Sequence, residues 1–173
     1  MPPRKGRKHV LRVIREILFF EPKGRGTRLR VPLEFMLRVL PHLAIAVLVS
    51  DFLDSEMQTG QLEVRPALTP LLRQANRKHD LVAVRITDPF ESALPDLGRL
   101  VIEDAETGEV VEIDTGDEAG RAAFAAGRER ERTDRARLLR SVRIDHIELC
   151  TGQPYSAALG QFFRTREKRR LHG

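Results

Sequence analysis

Asp51 is the residue best placed to do chemistry. It closes an eight-residue apolar run, Leu43 to Ser50, within the stretch LAIAVLVSDFLD. A run of that length, rich in β-branched side chains, reads as a strand buried on both faces of a parallel sheet. In open α/β sheets ligands bind at the carboxyl ends of strands, so a carboxylate delivered there is a candidate functional group. The plain alternative is a strand-end carboxylate that caps the next turn. Thr27 follows the loop EPKGRG and offers a hydroxyl, which either serves a site or caps the helix after it.

Other chemistry is thinner. His146, Glu148 and Cys150 alternate along one predicted strand and share a face, the arrangement a Cys–His nucleophilic pair would need. Packing or hydrogen bonding beneath a helix is the commoner use of that spacing. His9, His42, His79 and His172 are scattered without zinc-ligand spacing. GRGTRL lacks the G-x-x-x-x-G-K-[ST] pattern of a phosphate-binding loop, which argues against an ATPase. The acid pairs Glu103 and Asp104, and Asp114 and Asp117, fall in and after a hairpin, where they keep it soluble.

The elements that position these groups follow from periodicity. Val10, Ile14, Ile17 and Leu18 give His9 to Phe20 one apolar helical face. A second helix starts at Arg28 or near Pro32 and runs to Leu40, with proline tolerated in its first turn. After the Leu43 to Ser50 strand comes a polar turn, then a helix from Val64 to Lys78, then a buried strand, Leu81 to Ile86. Strand, helix, strand implies a parallel pair with a right-handed crossover. RLVIED and EVVEID, Arg99 to Asp104 and Glu109 to Asp114, alternate around a turn and predict a β-hairpin. Asp117 caps a long helix to Ser141, Asp145 to Cys150 forms a last buried strand, and Tyr155 to Arg166 forms a last helix on Leu159, Phe162 and Phe163.

Composition narrows the classes. The 173 residues suit one domain, with 41% apolar and 32% charged residues in the range of folded proteins. No apolar run approaches the roughly 20 residues of a membrane span. Arg12, Arg15 and Glu16 interrupt the first apolar segment, so it reads as an amphipathic helix rather than a leader. The single cysteine, Cys150, excludes an internal disulfide and favours a reducing compartment, so a cytoplasmic location is expected. The formal charge of +5 gathers in two basic tails and an arginine-rich helix interleaved with acids. Without aromatic stacking platforms it does not point to nucleic acid.

Six segments together carry a family resemblance: PPRKGRKHVLRVIREI, the GRGT loop at Gly24 to Thr27, LVSDFLD, RKHDLVAVRITDP, LPDLGRLVIEDAETGE and DHIELCTGQPY. On these the chain resembles the carboxyl-terminal part of the bacterial domain of unknown function 58 family, whose fold is von Willebrand factor A-like. The resemblance implies a three-layer α/β sandwich, a mostly parallel sheet flanked by helices, here with an inserted β-hairpin. It also implies a metal-ion-dependent adhesion site built from a D-x-S-x-S motif, a threonine and an aspartate. Thr27 matches the second element and Asp51 the third, and no D-x-S-x-S occurs in the sequence.

The expectation is therefore a single partial domain over 1–173, lacking the first strands and that motif. In the intact family site the ion is Mg²⁺ or Mn²⁺, which needs about six oxygen ligands; this chain alone is expected to bind none, or to bind it weakly. The resemblance implies a non-enzymatic protein-interaction module that acts with a MoxR-type ATPase in complex assembly and meets its partner at Thr27 and Asp51. A metal-dependent hydrolase and a non-functional truncated fragment are the alternatives. The Leu43 to Ser50 strand, deprived of a neighbour, is expected to associate along its edge with another copy or another polypeptide.

Overall fold

The computed structural model describes residues 5–21, 26–57, 67–103 and 108–171. Helices α1 (Arg7–Leu18) and α2 (Arg30–Val39) precede strand β1 (Ile45–Ser50). A short 3-10 turn (Ser55–Met57) follows, then α3 (Thr69–Lys78), β2 (Asp80–Thr87) and the one-turn helix α4 (Pro89–Ser92). The hairpin β3 (Arg99–Glu103) and β4 (Val110–Asp114) leads into α5 (Glu118–Ser141), β5 (Asp145–Cys150) and α6 (Tyr155–Leu171).

The main sheet has the order β1-β2-β5 and is parallel throughout, as strand-helix-strand alternation requires. The hairpin forms a separate two-stranded antiparallel sheet. Ala46 and Leu48 of β1 stand level with Leu81 and Ala83 of β2 and face one way. On that side lies the core, with Leu29 and Leu33 from the start of α2, Leu72 and Ala75 from α3, and Leu138 and Leu139 from α5. The other side is covered in part by α6, whose Arg166 binds Asp80 and Asp145 at the starts of β2 and β5. Helices thus flank the sheet on both sides.

Several elements differ from the sequence expectation. Proline at position 32 sits in the first turn of α2, which begins at Arg30, between the two expected starts. Its missing N–H would have had no intrahelical partner there. The third helix starts at Thr69, and the expected residues 64–66 lie outside the described residues, as does Asp104 at the expected end of β3. Asp117 does cap α5, accepting from Ala119 N at 3.1 Å and Gly120 N at 3.0 Å. Helix α6 runs past the expected Arg166 to Leu171. Strand β5 is only half buried.

The main correction concerns β1, which is not buried on both faces. Ile45, Val47 and Val49 are 63%, 48% and 60% exposed, while Ala46, Leu48 and Ser50 alternate with them as half-buried residues. An unbroken apolar run describes a central strand, but β1 lies at an end of the sheet and α6 does not reach its outer face. Helix α1 likewise has an apolar stripe, Val10, Ile14 and Ile17, and no buried residue. Amphipathicity specifies a helix that has a face to bury; it does not supply the surface that buries it.

Candidate functional site

The carboxyl edge of the sheet is built by the sharp turn that ends β1. Ser50 Oγ accepts from Phe52 N at 3.0 Å, and Asp51 Oδ1 accepts from Leu53 N at 3.0 Å. These bonds let the chain reverse at once, and they place Phe52 at φ 60°, an unusual conformation for a bulky residue, with its ring 1% exposed in the core. Phe52 is held there because the buried ring and the two local bonds outweigh the backbone strain. Asp51 therefore performs the turn-capping role. Its carbonyl also accepts from Arg85 Nε at 3.3 Å, tying the turn to β2.

Asp54, three residues on, is the carboxylate that the sequence reading passed over. It is 2% exposed, and Oδ2 accepts from Leu29 N at 2.6 Å while Oδ1 accepts from Glu56 N at 2.8 Å. Leu29 occupies the N-cap position of α2 with no capping bond of its own side chain, so Asp54 supplies an acceptor for the helix start from 25 residues away. Thr27 is not the capping residue. Arg30 and Glu56 add a second tie, with Arg30 Nε 3.0 Å from Glu56 Oε2. The hydrogen bond from Arg30 holds the Glu56 carboxyl below its ordinary value. The signal for Asp54 was the second aspartate in SDFLD, a charge placed among Phe52, Leu53 and Met57.

The structure thus attaches the segment after Thr27 to the turn after Asp51, through Leu29–Asp54 and Arg30–Glu56. Mg²⁺ needs about six oxygens, several of them from converging carboxylates and hydroxyls. Among the described residues no three histidine, cysteine, aspartate or glutamate side chains come together as a metal set. Asp51 Oδ1 is also already engaged. Thr27 and Asp51 supply too few ligands by themselves.

Next to this corner, Asp88 ends β2 and caps α4. It accepts from Phe90 N at 3.0 Å and from Thr151 Oγ1 at 2.6 Å. The Thr151 hydroxyl first, and the Phe90 amide second, hold its carboxyl below the ordinary value. This pair joins the ends of β2 and β5, and the cue was an aspartate directly before Pro89.

His146, Glu148 and Cys150 do share a strand face, but four residues of strand separate the first and last by about 13 Å, too far for proton transfer. Glu148 between them is committed to Arg85 Nη1 at 3.2 Å and Arg132 Nη1 at 3.5 Å. Arg135 of α5 is also buried here, with its Nε unpartnered within the protein. Burial, then the charge of Arg85, lower its pKa. The face is a structural ion network under α5 and does not form a nucleophilic pair.

The outer edge of β1 completes the picture. Asp80 N donates to Ala44 O at 2.8 Å. Peptide groups alternate sides along a strand, so Ala44, Ala46 and Leu48 bond β2, whereas Ile45, Val47 and Val49 direct their N–H and C=O groups outward. No strand pairs with them among the described residues. This edge carries no charge from Leu43 to Ser50, unlike β5 with Asp145 and Glu148.

Comparison with known proteins places the chain among relatives of undetermined activity. A family model described as "Protein of unknown function DUF58" matches residues 1–134. Uncharacterized proteins of Mycobacterium tuberculosis and Mycobacterium bovis are 31% identical over 176 residues, covering 100% of this chain and 52% of their own length. An uncharacterized protein of Mycobacterium avium is 29% identical over 175 residues, covering 100% of this chain and 97% of its own. The chain thus spans about half the length of the first two relatives. No solved structure matches it.

Proposed function

The chain belongs to the DUF58 family, and we propose that it is a non-enzymatic protein-interaction module that completes its sheet by accepting a strand along β1. The observation that carries this reading is the state of β1: outward peptide groups at Ile45, Val47 and Val49, side chains 48% to 63% exposed, and no charge to repel a neighbour. Edge strands left open normally carry lysine, proline or a bulge; this one carries none. Backbone pairing would supply affinity and the apolar side chains would supply an anchor.

The von Willebrand factor A-like assignment belongs to the same proposal, supported by the parallel sheet flanked by helices and by Asp51 at the carboxyl end of β1. The occupant proposed for this edge is a second copy, whose uncharged β1 pairs antiparallel with its twin across a two-fold axis. In its assembly the partner class is a MoxR-type ATPase, as the family resemblance implies, approached from the Thr27 and Asp51 corner. No helix among the described residues is long and apolar enough to cross a membrane, so none of this calls on a bilayer.

The test is a proline substitution at an outward position. Val47→Pro removes an N–H that no internal bond uses, so the fold survives while strand addition fails. Leu48→Pro removes an N–H directed at β2 and unfolds the protein. Loss of association in the first variant with an unchanged circular dichroism spectrum supports the reading. Unchanged association in Val47→Pro contradicts it.

A further inference from the structure

Helix α1 has an apolar face that the fold does not use. Val10, Leu11, Ile14, Ile17 and Leu18 fall within an arc of about 120° at 3.6 residues per turn. All five are 47% to 73% exposed, and Phe20, just past the helix, is exposed as well. The half-buried positions of α1 are His9 and Val13, which lie to one side of that arc. The arc itself is open to solvent.

The charge on the rest of this segment says what kind of surface fits it. From Arg4 to Phe20 the sequence carries six basic residues, Arg4, Lys5, Arg7, Lys8, Arg12 and Arg15, against one acid, Glu16. On the helix, Lys8 and Arg12 stand opposite the apolar arc and Arg15 stands at its border. Glu16 lies 3.7 Å from Arg12 in an exposed pair that water screens, so the segment stays strongly positive. Twelve residues of helix extend about 18 Å, well short of the roughly 30 Å of a bilayer's hydrocarbon layer. Such a helix cannot cross a membrane, but its apolar face and basic surroundings suit it to lie along one. A protein groove would have to bring its own acidic rim, whereas anionic headgroups present one everywhere.

We propose that α1 lies flat on an anionic phospholipid surface. Val10, Ile14, Ile17 and Leu18 rest at the boundary of the acyl chains, and Lys8, Arg12 and Arg15 meet the phosphates. The long basic side chains lay their methylene stems along the apolar boundary while their charged ends reach the headgroups. Each basic residue near such a surface strengthens binding about fivefold. A single short helix binds reversibly, so the attachment responds to salt. This surface is separate from the Thr27 and Asp51 corner and from the β1 edge, and it stands or falls without them.

The test is co-sedimentation of the full chain with vesicles of phosphatidylcholine alone and of equimolar phosphatidylcholine and phosphatidylglycerol. Binding to the mixed vesicles at least tenfold tighter than to the neutral ones, and weakened by salt, is expected. Ile14→Glu with Ile17→Glu should lose at least tenfold in affinity at unchanged melting temperature, since both side chains are exposed. Phe20→Ser, beyond the helix, should weaken binding in the same sense without touching helical packing. Arg12→Gln with Arg15→Gln keeps the helix propensity and should lose about thirtyfold. No binding to the mixed vesicles, or equal binding to neutral ones, would overturn the proposal. So would affinity that the apolar variants leave intact, because charge alone would then account for it. A chain that ignores vesicles but loses self-association in the isoleucine variant would assign the stripe to a protein surface and overturn the lipid.

Discussion

Val47 of β1 stands level with Val82 of β2 on the same side of the sheet, yet Val82 is fully sealed while Val47 is 48% exposed. Two identical side chains one strand apart thus occupy opposite environments. The boundary between them is where α6 stops covering the sheet. Valine on the bare side is a residue prepared for burial and not yet buried.

The contrast predicts unequal costs of truncation. Val82→Ala should destabilise the chain by about 2 kcal/mol, from lost burial and the cavity left behind. Val47→Ala should cost the isolated chain less than about 0.5 kcal/mol. Urea unfolding of both variants, followed by circular dichroism, measures the difference. Equal losses would mean that Val47 is already covered.

Asp54 should matter more to the fold than Asp51. Asp54→Ala strands the Leu29 and Glu56 amides in or near the core, for a loss of about 3 kcal/mol. Asp51→Ala loses the part-buried turn bonds from Leu53 N and Ser50 Oγ and should cost about 1 kcal/mol. Denaturation midpoints check the ranking, and a reversal would overturn the account of this corner.

Acid should loosen the junction of β2, β5 and α6. Burial pushes the Asp145 carboxyl up, but hydrogen bonds and charge from Arg166 and Arg169 outweigh it and hold the group below its ordinary value. A carboxyl depressed in the folded state binds fewer protons there than in the unfolded chain. Its contribution is therefore complete above about pH 4 and is lost as pH falls through the folded value. Asp145→Asn should lower stability at neutral pH and flatten the acid limb of the stability curve below about pH 4. A limb as steep as that of the native chain would exclude Asp145 as its source.

Titration with Mg²⁺ and Mn²⁺ should give weak or absent heats, since Thr27 and Asp51 offer too few oxygens. A micromolar site lost in Asp51→Ala would contradict this and restore the adhesion-type reading.

Much of the fold was legible in the residues. The parallel β1–β2 pair, the hairpin and the Asp117 cap follow from local patterns that tertiary context did not alter. Burial of β1 and the packing of α1 were not legible, because periodicity reports which face is apolar and not whether anything covers it. The corner around Asp51 was half legible: the aspartate at the strand end stood out, whereas Asp54 acts through Leu29, a contact across 25 residues that no local pattern encodes.

The central claim, that β1 accepts a strand, is tested most directly by sedimentation velocity of the chain and of Val47→Pro across a concentration series. A concentration-dependent dimer that becomes a monomer in the variant is the predicted result. A native chain that sediments as a monomer at every concentration, or a dimer that Val47→Pro leaves intact, would contradict it.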